Sequence, residues 1–354
     1  MSCSKLYLAT VILRLGIAWA YPVPTPSIKS LVSHADFVVA GEVERVEQIG
    51  EGLVTLQSST YTRRDFQATI RVDETLKGKP APLRFILNYS TPAVDSLGNV
   101  AEGGLPHDAY RVVFLKKTPT GYAFASPYYP SVPASSTACG PDLQLKLGED
   151  AYHKVLQRLL DVLCASSTPE EKQVAINTLN WDEDSSAAPF LKTALNLPEV
   201  NSNPLLRTAI LSDLLKWKDL SVLPSAENDL FQSSEQVDGS LKSNLLLAIS
   251  GLDAQLSVPL LSRALTLPEP EARVGAARFL EYTKSESALD ALLSALADPD
   301  REVQFAVMQS LGNLTNQHQS RPQSTGTDAS WFACIKHWQE FGALRHTTKS
   351  KTAN

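Results

Sequence analysis

The sequence predicts an α+β chain of two domains, an antiparallel β-barrel followed by an α-solenoid of helical hairpins. Three observations predict it. Residues 28–130 carry five strand-like segments divided by turn formers such as Gly50-Glu51-Gly52, Gly98-Asn99 and Gly103-Gly104. Residues 259–314 carry two helical hairpins in near register: Pro259, Ala264 and Leu265 answer to Asp290, Ala295 and Leu296, and Leu280 answers to Leu311. Between the halves, "PSVPASSTACGP" is rich in Pro, Ser and Ala and reads as a linker, placed at 131–144.

The amino terminus sets the expected compartment. Lys5, the apolar stretch from Leu6 to Ala20 and the triplet Ala18-Trp19-Ala20 are the head, core and cleavage site of a secretory signal, residues 1–20, cut after Ala20. A bilayer crossing needs about 20 apolar residues, and Arg14 interrupts this stretch, so the chain touches a membrane only if the segment is retained as an anchor. The mature chain is expected to be secreted or periplasmic. It would keep Cys139, Cys164 and Cys334. An oxidising compartment permits a Cys139–Cys164 disulfide; the other reading is that all three are small buried apolar residues.

In the amino-terminal domain, "SIKSLVSHA" is a short helix ahead of the first strand. The stretch "FQATIRVDETLKG" alternates, with Phe66, Ala68, Ile70 and Val72 on one face and Gln67, Thr69, Arg71 and Asp73 on the other. Five or six short antiparallel strands in such a span fit a small barrel or sandwich, where closure protects the edges. The segments "HADFVVAGEVERVE", "VDETLKGKP" and "AYRVVFLKKTPTGYAF" resemble the netrin-type module related to tissue inhibitors of metalloproteases. That resemblance implies an OB-type barrel and raises an envelope protease inhibitor as one function. Those inhibitors chelate the protease zinc through an amino-terminal Cys, whereas the expected mature start here is Tyr21-Pro22, so the mechanism does not carry over. Tyr122, Phe124, Tyr128 and Tyr129 are either a stacking platform for a ligand or cross-strand packing.

The helical half is expected at 145–316. Tyr152, Val155, Leu156, Leu159, Leu160 and Leu163 form its first apolar stripe, and Thr168 with Glu171 is a capping box with Pro169 at the first helical position. Two further hairpins precede the pair at 259–314. The first-helix anchors are then Pro189, Pro224, Pro259 and Asp290, and the second helices carry a rung of Arg207, Lys242, Arg273 and Gln304, followed by Leu214, Ile249, Leu280 and Leu311. These units, as in "DPDREVQFAVMQSLG", resemble HEAT repeats. The resemblance implies a right-handed solenoid in which the rung ties neighbouring units through an acid in the preceding turn. The functional reading is that second helices line a concave wall, so that Arg207, Lys242, Arg273 and Gln304, with Asn244 and Gln309, face a bound protein. A loop at 317–329, a capping helix at 330–344 and a disordered tail at 345–354 complete the chain. Trp331, Ile335 and Trp338 share one face of that helix, with Phe332 and Phe341 beside them, as a cap or as a docking site.

Chemistry is sparse. A net charge of −6 without runs of like charge argues against nucleic-acid partners. HEAT-type metal hydroxylases carry His-Glu pairs, and none of the six histidines is followed by Glu. Cys334-x-x-His337 is half a zinc site without a second half, His107-Asp108 is a lone dipeptide in a turn, and Asp182-Glu183-Asp184 lacks the spaced ligands of a calcium loop. No catalytic, cofactor-binding or metal residue is assigned, and no cofactor is expected. The expectation is a non-enzymatic protein-binding scaffold. The alternatives are the protease inhibitor acting through the β domain and an enzyme with an unrecognised site between the domains.

Overall fold

The computed structural model describes residues 26–352 apart from 57–58, 93–103, 120, 127–128, 141–147, 166, 180–184, 232–237 and 318–327. The signal segment at 1–20 therefore lies outside the described residues. The chain forms two compact units, Met1–Glu183 and Asp184–Asn354.

The first unit opens with α1 (Ile28–His34), whose first turn is capped by the Ser27 hydroxyl accepting the Ser30 N–H at 3.0 Å. Six strands follow: β1 (Phe37–Leu56), β2 (Ser59–Lys77), β3 (Arg84–Pro92), β4 (Ala109–Thr118), β5 (Gly121–Phe124) and β6 (Ser131–Pro133). They form one antiparallel sheet of order β3-β2-β1-β4-β5, with β6 also on β4. The alternation in β2 sends Ala68, Ile70 and Val72 into a cluster with Val39, Val43, Phe85, Leu87 and Val113. Val38, Ala40, Val112 and Phe114 are also buried, and α1 contacts β4. A sheet covered on both faces explains the long apolar run in β4.

Three expectations are corrected here. The sheet does not close into a barrel: its outer strands meet through rings, Phe85 with Tyr122 at 5.1 Å and Tyr89 with Phe124 at 5.0 Å, with no ladder between β3 and β5 among the described residues. The four-residue β5 is too short to complete the closure. Gly50-Glu51-Gly52 is no turn; it pairs with Asp65, Arg64 and Arg63 in the β1–β2 ladder, and a register shift between Gln48 and Gly50 absorbs the irregularity. The expected linker begins as strand β6, in which Val132 is buried and Pro133 sits where an edge strand tolerates it. Tyr122 and Phe124 pack against the inner cluster, as the packing reading has it; Tyr128 lies outside the described residues.

The next two helices, α2 (Ala151–Cys164) and α3 (Pro169–Leu179), belong to this first unit and not to the solenoid. Asp150 accepts the Tyr152 and His153 N–H groups at the start of α2, and the expected box of Thr168 and Glu171 closes reciprocally at 3.0 and 3.2 Å. The α2 stripe is buried against α1, α3, β2 and β6, and Arg158 pairs with Glu74 across that junction. Cys139 and Cys164 form a disulfide, and the buried Asp161 accepts the Cys139 N–H at 3.1 Å.

The second unit stacks hairpins. First helices are α4 (Ala188–Ala194), α7 (Leu223–Phe231), α9 (Ala254–Ala264) and α11 (Ser287–Ser294), with a one-turn α5 (Pro198–Asn201) after α4. Second helices are α6 (Pro204–Lys216), α8 (Gly239–Ser250), α10 (Pro270–Tyr282) and α12 (Arg301–Thr315). Each second helix starts on a local signal. Asn203, Asp238 and Asp300 cap α6, α8 and α12, accepting N–H groups at 3.2, 2.9 and 2.8 Å, while α10 begins at Pro270. Second helices pack along one another through the stack, whereas among the first helices α9 and α11 make the substantial contact. The second-helix layer is therefore the more closely spaced one.

The chain ends in α13 (Asp328–Thr352), which runs through the residues expected to be a tail. Arg345 explains the extension, reaching Asp290 at 3.2 Å and Glu286 on the last hairpin. Trp338 is fully buried and Trp331 nearly so, with the Trp331 indole N–H donating to Gln304 Oε1 at 3.0 Å. This face closes the stack, as the cap reading has it, while Phe332 stands in solvent.

Candidate protein-binding surface

The rung is a set of ties between units. Arg207 Nε donates to Asp229 at 2.6 Å, Lys242 Nζ to Glu269 at 2.9 Å, and Arg273 to both Asp298 oxygens at 2.7 and 3.0 Å. In each pair the acid belongs to the following unit, not to the preceding turn. Arg273 also donates to the Leu267 and Pro268 carbonyls, which fixes the bend of its own hairpin. Gln304, on α12, meets α13 where the other rung residues meet the next hairpin; its amide donates to the Asp298 carbonyl at 2.8 Å and its oxygen accepts from Trp331.

This geometry revises the candidate site. Lys242 is 1% exposed and Arg273 9%, so neither side chain lies on an outer wall. Arg207, Asn244, Gln304 and Gln309 are half-buried. The exposed face lies elsewhere on the same helices. Five residues past the rung, about 140° around a helix at 100° per residue, stand the exposed Leu247 and Arg278 and the half-buried Gln309, while Ser212 of α6 at the same offset is buried. Four residues further come the exposed Lys216 and Tyr282. Leu247 is 44% exposed and Tyr282 58%, and the Tyr282 ring rests against Phe279 at 6.0 Å. The hairpin repeat found the rung because ties recur from unit to unit. A wall whose residue types change from unit to unit leaves no repeat signal, and only the offset from the rung could have revealed it.

A cleft of ≈ 280 Å³ opens between the first two hairpins, lined by Lys192, Asn196, Asn201, Arg207, Ser221 and Ser225 among others. Lys192 pairs with Asp219 at 3.2 Å, and the Ser221 hydroxyl, together with this lysine, holds the Asp219 carboxyl below its ordinary pKa. A smaller hollow of ≈ 150 Å³ lies beside α1, with Leu31, His34 and Tyr129 in its wall. Deeper in the stack, Asp213 on α6 is 4% exposed and burial raises its pKa to about 6, opposed by Lys216 at 3.3 Å. Among the described residues no group of three or more His, Cys, Asp or Glu side chains is placed to hold a metal ion.

Comparison with known proteins bears on the second unit. A family model described as HEAT repeats matches residues 257–323. No curated protein matches the chain. The solved structure of human deoxyhypusine hydroxylase in complex with glycerol is similar at 15% identity over 46% of this chain and 75% of that chain, with a TM-score of 0.23 that carries no argument about fold or chemistry. Nothing in these comparisons supports the netrin-type resemblance of residues 28–130, and the open sheet gives it no barrel to rest on. The helical half carries a HEAT-repeat element, matched over residues 257–323 and built from the hairpins α9–α10 and α11–α12.

Proposed function

We propose that the chain is a secreted or periplasmic, non-enzymatic scaffold that binds a protein partner on the exposed face of its second helices, the stack being right-handed as HEAT arrays are. The observation that carries this reading is the wall itself. Leu247 and Tyr282 hold large side chains in solvent beside Arg278, on the layer where neighbouring helices are most closely packed. Tyrosine and arginine on a rigid base are the composition of binding hot spots, and HEAT repeats serve protein association in general. The extracytoplasmic placement is supported by the leader-like residues 1–20 and by the Cys139–Cys164 disulfide, a bond that persists in oxidising compartments. No helix of the described residues is long and apolar enough to cross a membrane.

The test is affinity capture from an extracytoplasmic fraction with residues 21–354 as bait, beside the same bait carrying L247D and Y282A. The reading expects a stoichiometric protein held by the first bait and lost from the second. Equal recovery on both baits rejects the wall as the docking surface. The inhibitor alternative would be favoured by a protease retained on a bait whose wall is mutated.

A further inference from the structure

We propose that the cleft between the first two hairpins binds a small oxyanion of the phosphate or sulfate class. Its lining is rich in donors. Lys192 and Arg207 bring cationic N–H groups, Asn196 and Asn201 carboxamides, and Ser225 a hydroxyl, whereas the Ser221 hydroxyl in the same wall donates to Asp219 at 2.6 Å. The carboxylates that balance the two cations, Asp219 at 3.2 Å and Asp229 at 2.6 Å, do not line the cleft, so a ligand there meets donors. Each cation keeps donor capacity after its pairing. Arg207 spends Nε on Asp229 and Nη1 on Asn201, and an ammonium has three N–H bonds. Asn196 and Ser225 have no side-chain hydrogen-bond partner among the described residues.

The other hairpins show that this is not a generic feature of the stack. Lys192 stands three residues after Pro189; the same offset from Pro224, Pro259 and Asp290 falls on Glu227, Ser262 and Leu293, so the first hairpin alone has a cation there. The rung cation is also most open in this unit: the Arg207 side chain is 20% exposed, against 1% for Lys242 and 10% for Arg273. Little direct contact between α4 and α7 leaves the opening. A cleft of ≈ 280 Å³ has room for an oxyanion with an attached organic group. Charge-assisted bonds from Lys and Arg to phosphate are roughly twice as strong as neutral ones.

The experiment is isothermal titration of residues 21–354 with inorganic phosphate and with sulfate, in chloride buffer of matched ionic strength. The expected result is one saturable site in about the millimolar range or tighter. K192Q should weaken it by about tenfold, and N196D should weaken it further by placing a like charge in the cleft. K336Q, which alters an exposed lysine on α13, should leave it unchanged. Circular dichroism of each variant establishes that the fold is intact. Heats no greater than chloride dilution, or equal binding by wild type, K192Q and N196D, would overturn the proposal. A response to phosphate without sulfate, or the reverse, would support it and fix the oxyanion.

Discussion

Replacing Arg273 by Met should cost the chain about 3–5 kcal/mol of stability, the range for breaking a buried ion pair from one side. The structure places this side chain at the centre of the tie between the last two hairpins. It donates to both Asp298 oxygens at 2.7 and 3.0 Å and to the Leu267 and Pro268 carbonyls at 2.9 Å each, and the two paired side chains are only 10% and 7% exposed. Its hydrogen bond to Asp298 raises the Arg273 pKa, so the guanidinium stays charged through the neutral range. Met keeps the aliphatic bulk but leaves a carboxylate without its cation. Removing both charges in R273M/D298L relieves that orphaned group, so the double variant should be more stable than the sum of the single losses by about 1–3 kcal/mol. Urea unfolding of residues 21–354 followed by far-UV circular dichroism measures all four members of the cycle. A loss below about 1 kcal/mol for R273M, or strict additivity in the cycle, would refute the assignment of the rung to internal ties.

Other outcomes follow from the same contacts. Asp213 keeps its proton up to about pH 6 in the folded chain and releases it near 3.8 when unfolded, so its contribution to stability is greatest below 3.8 and declines as pH rises to 6. At neutral pH its charged form costs about 3 kcal/mol; D213N should remove that slope and stabilise the neutral chain, as thermal melts across this pH window would show. Reducing the Cys139–Cys164 bridge, with a sequence separation of 25, should lower stability by about 3.5 kcal/mol, measured by urea unfolding with and without reductant. Trp338→Ala empties a fully buried site in the cap and should cost about 3–5 kcal/mol, read in the same assay. L247D and Y282A alter exposed side chains and should shift stability by no more than about 0.5 kcal/mol.

How much of this was legible in the sequence depends on what generates each feature. The hairpins were, because units that stack on one another bury the same positions and repeat them. The strand segments were also legible, through the alternation of Phe66 to Asp73. Closure of the sheet was not: it depends on the meeting of β3 and β5, about which no single strand carries a signal. The placement of α2 and α3 was missed because an apolar stripe such as Tyr152 to Leu163 reads the same whether it faces a sheet or another hairpin. The rung was read correctly as a series, but its functional reading placed Lys242 and Arg273 on a surface they do not reach. The tie reading stood beside it, and an acid one unit further on draws Lys242 and Arg273 inward.

Whether a protein partner lies on the second-helix wall is read from hydrogen exchange of the captured complex. A partner on the wall adds protection in peptides covering Asn244–Gly251 and Arg278–Tyr282, with no change in β1–β2 or along α13. Protection confined to the sheet unit or to the exposed side of α13 around Phe332, with the wall exchanging as in the free chain, would contradict it.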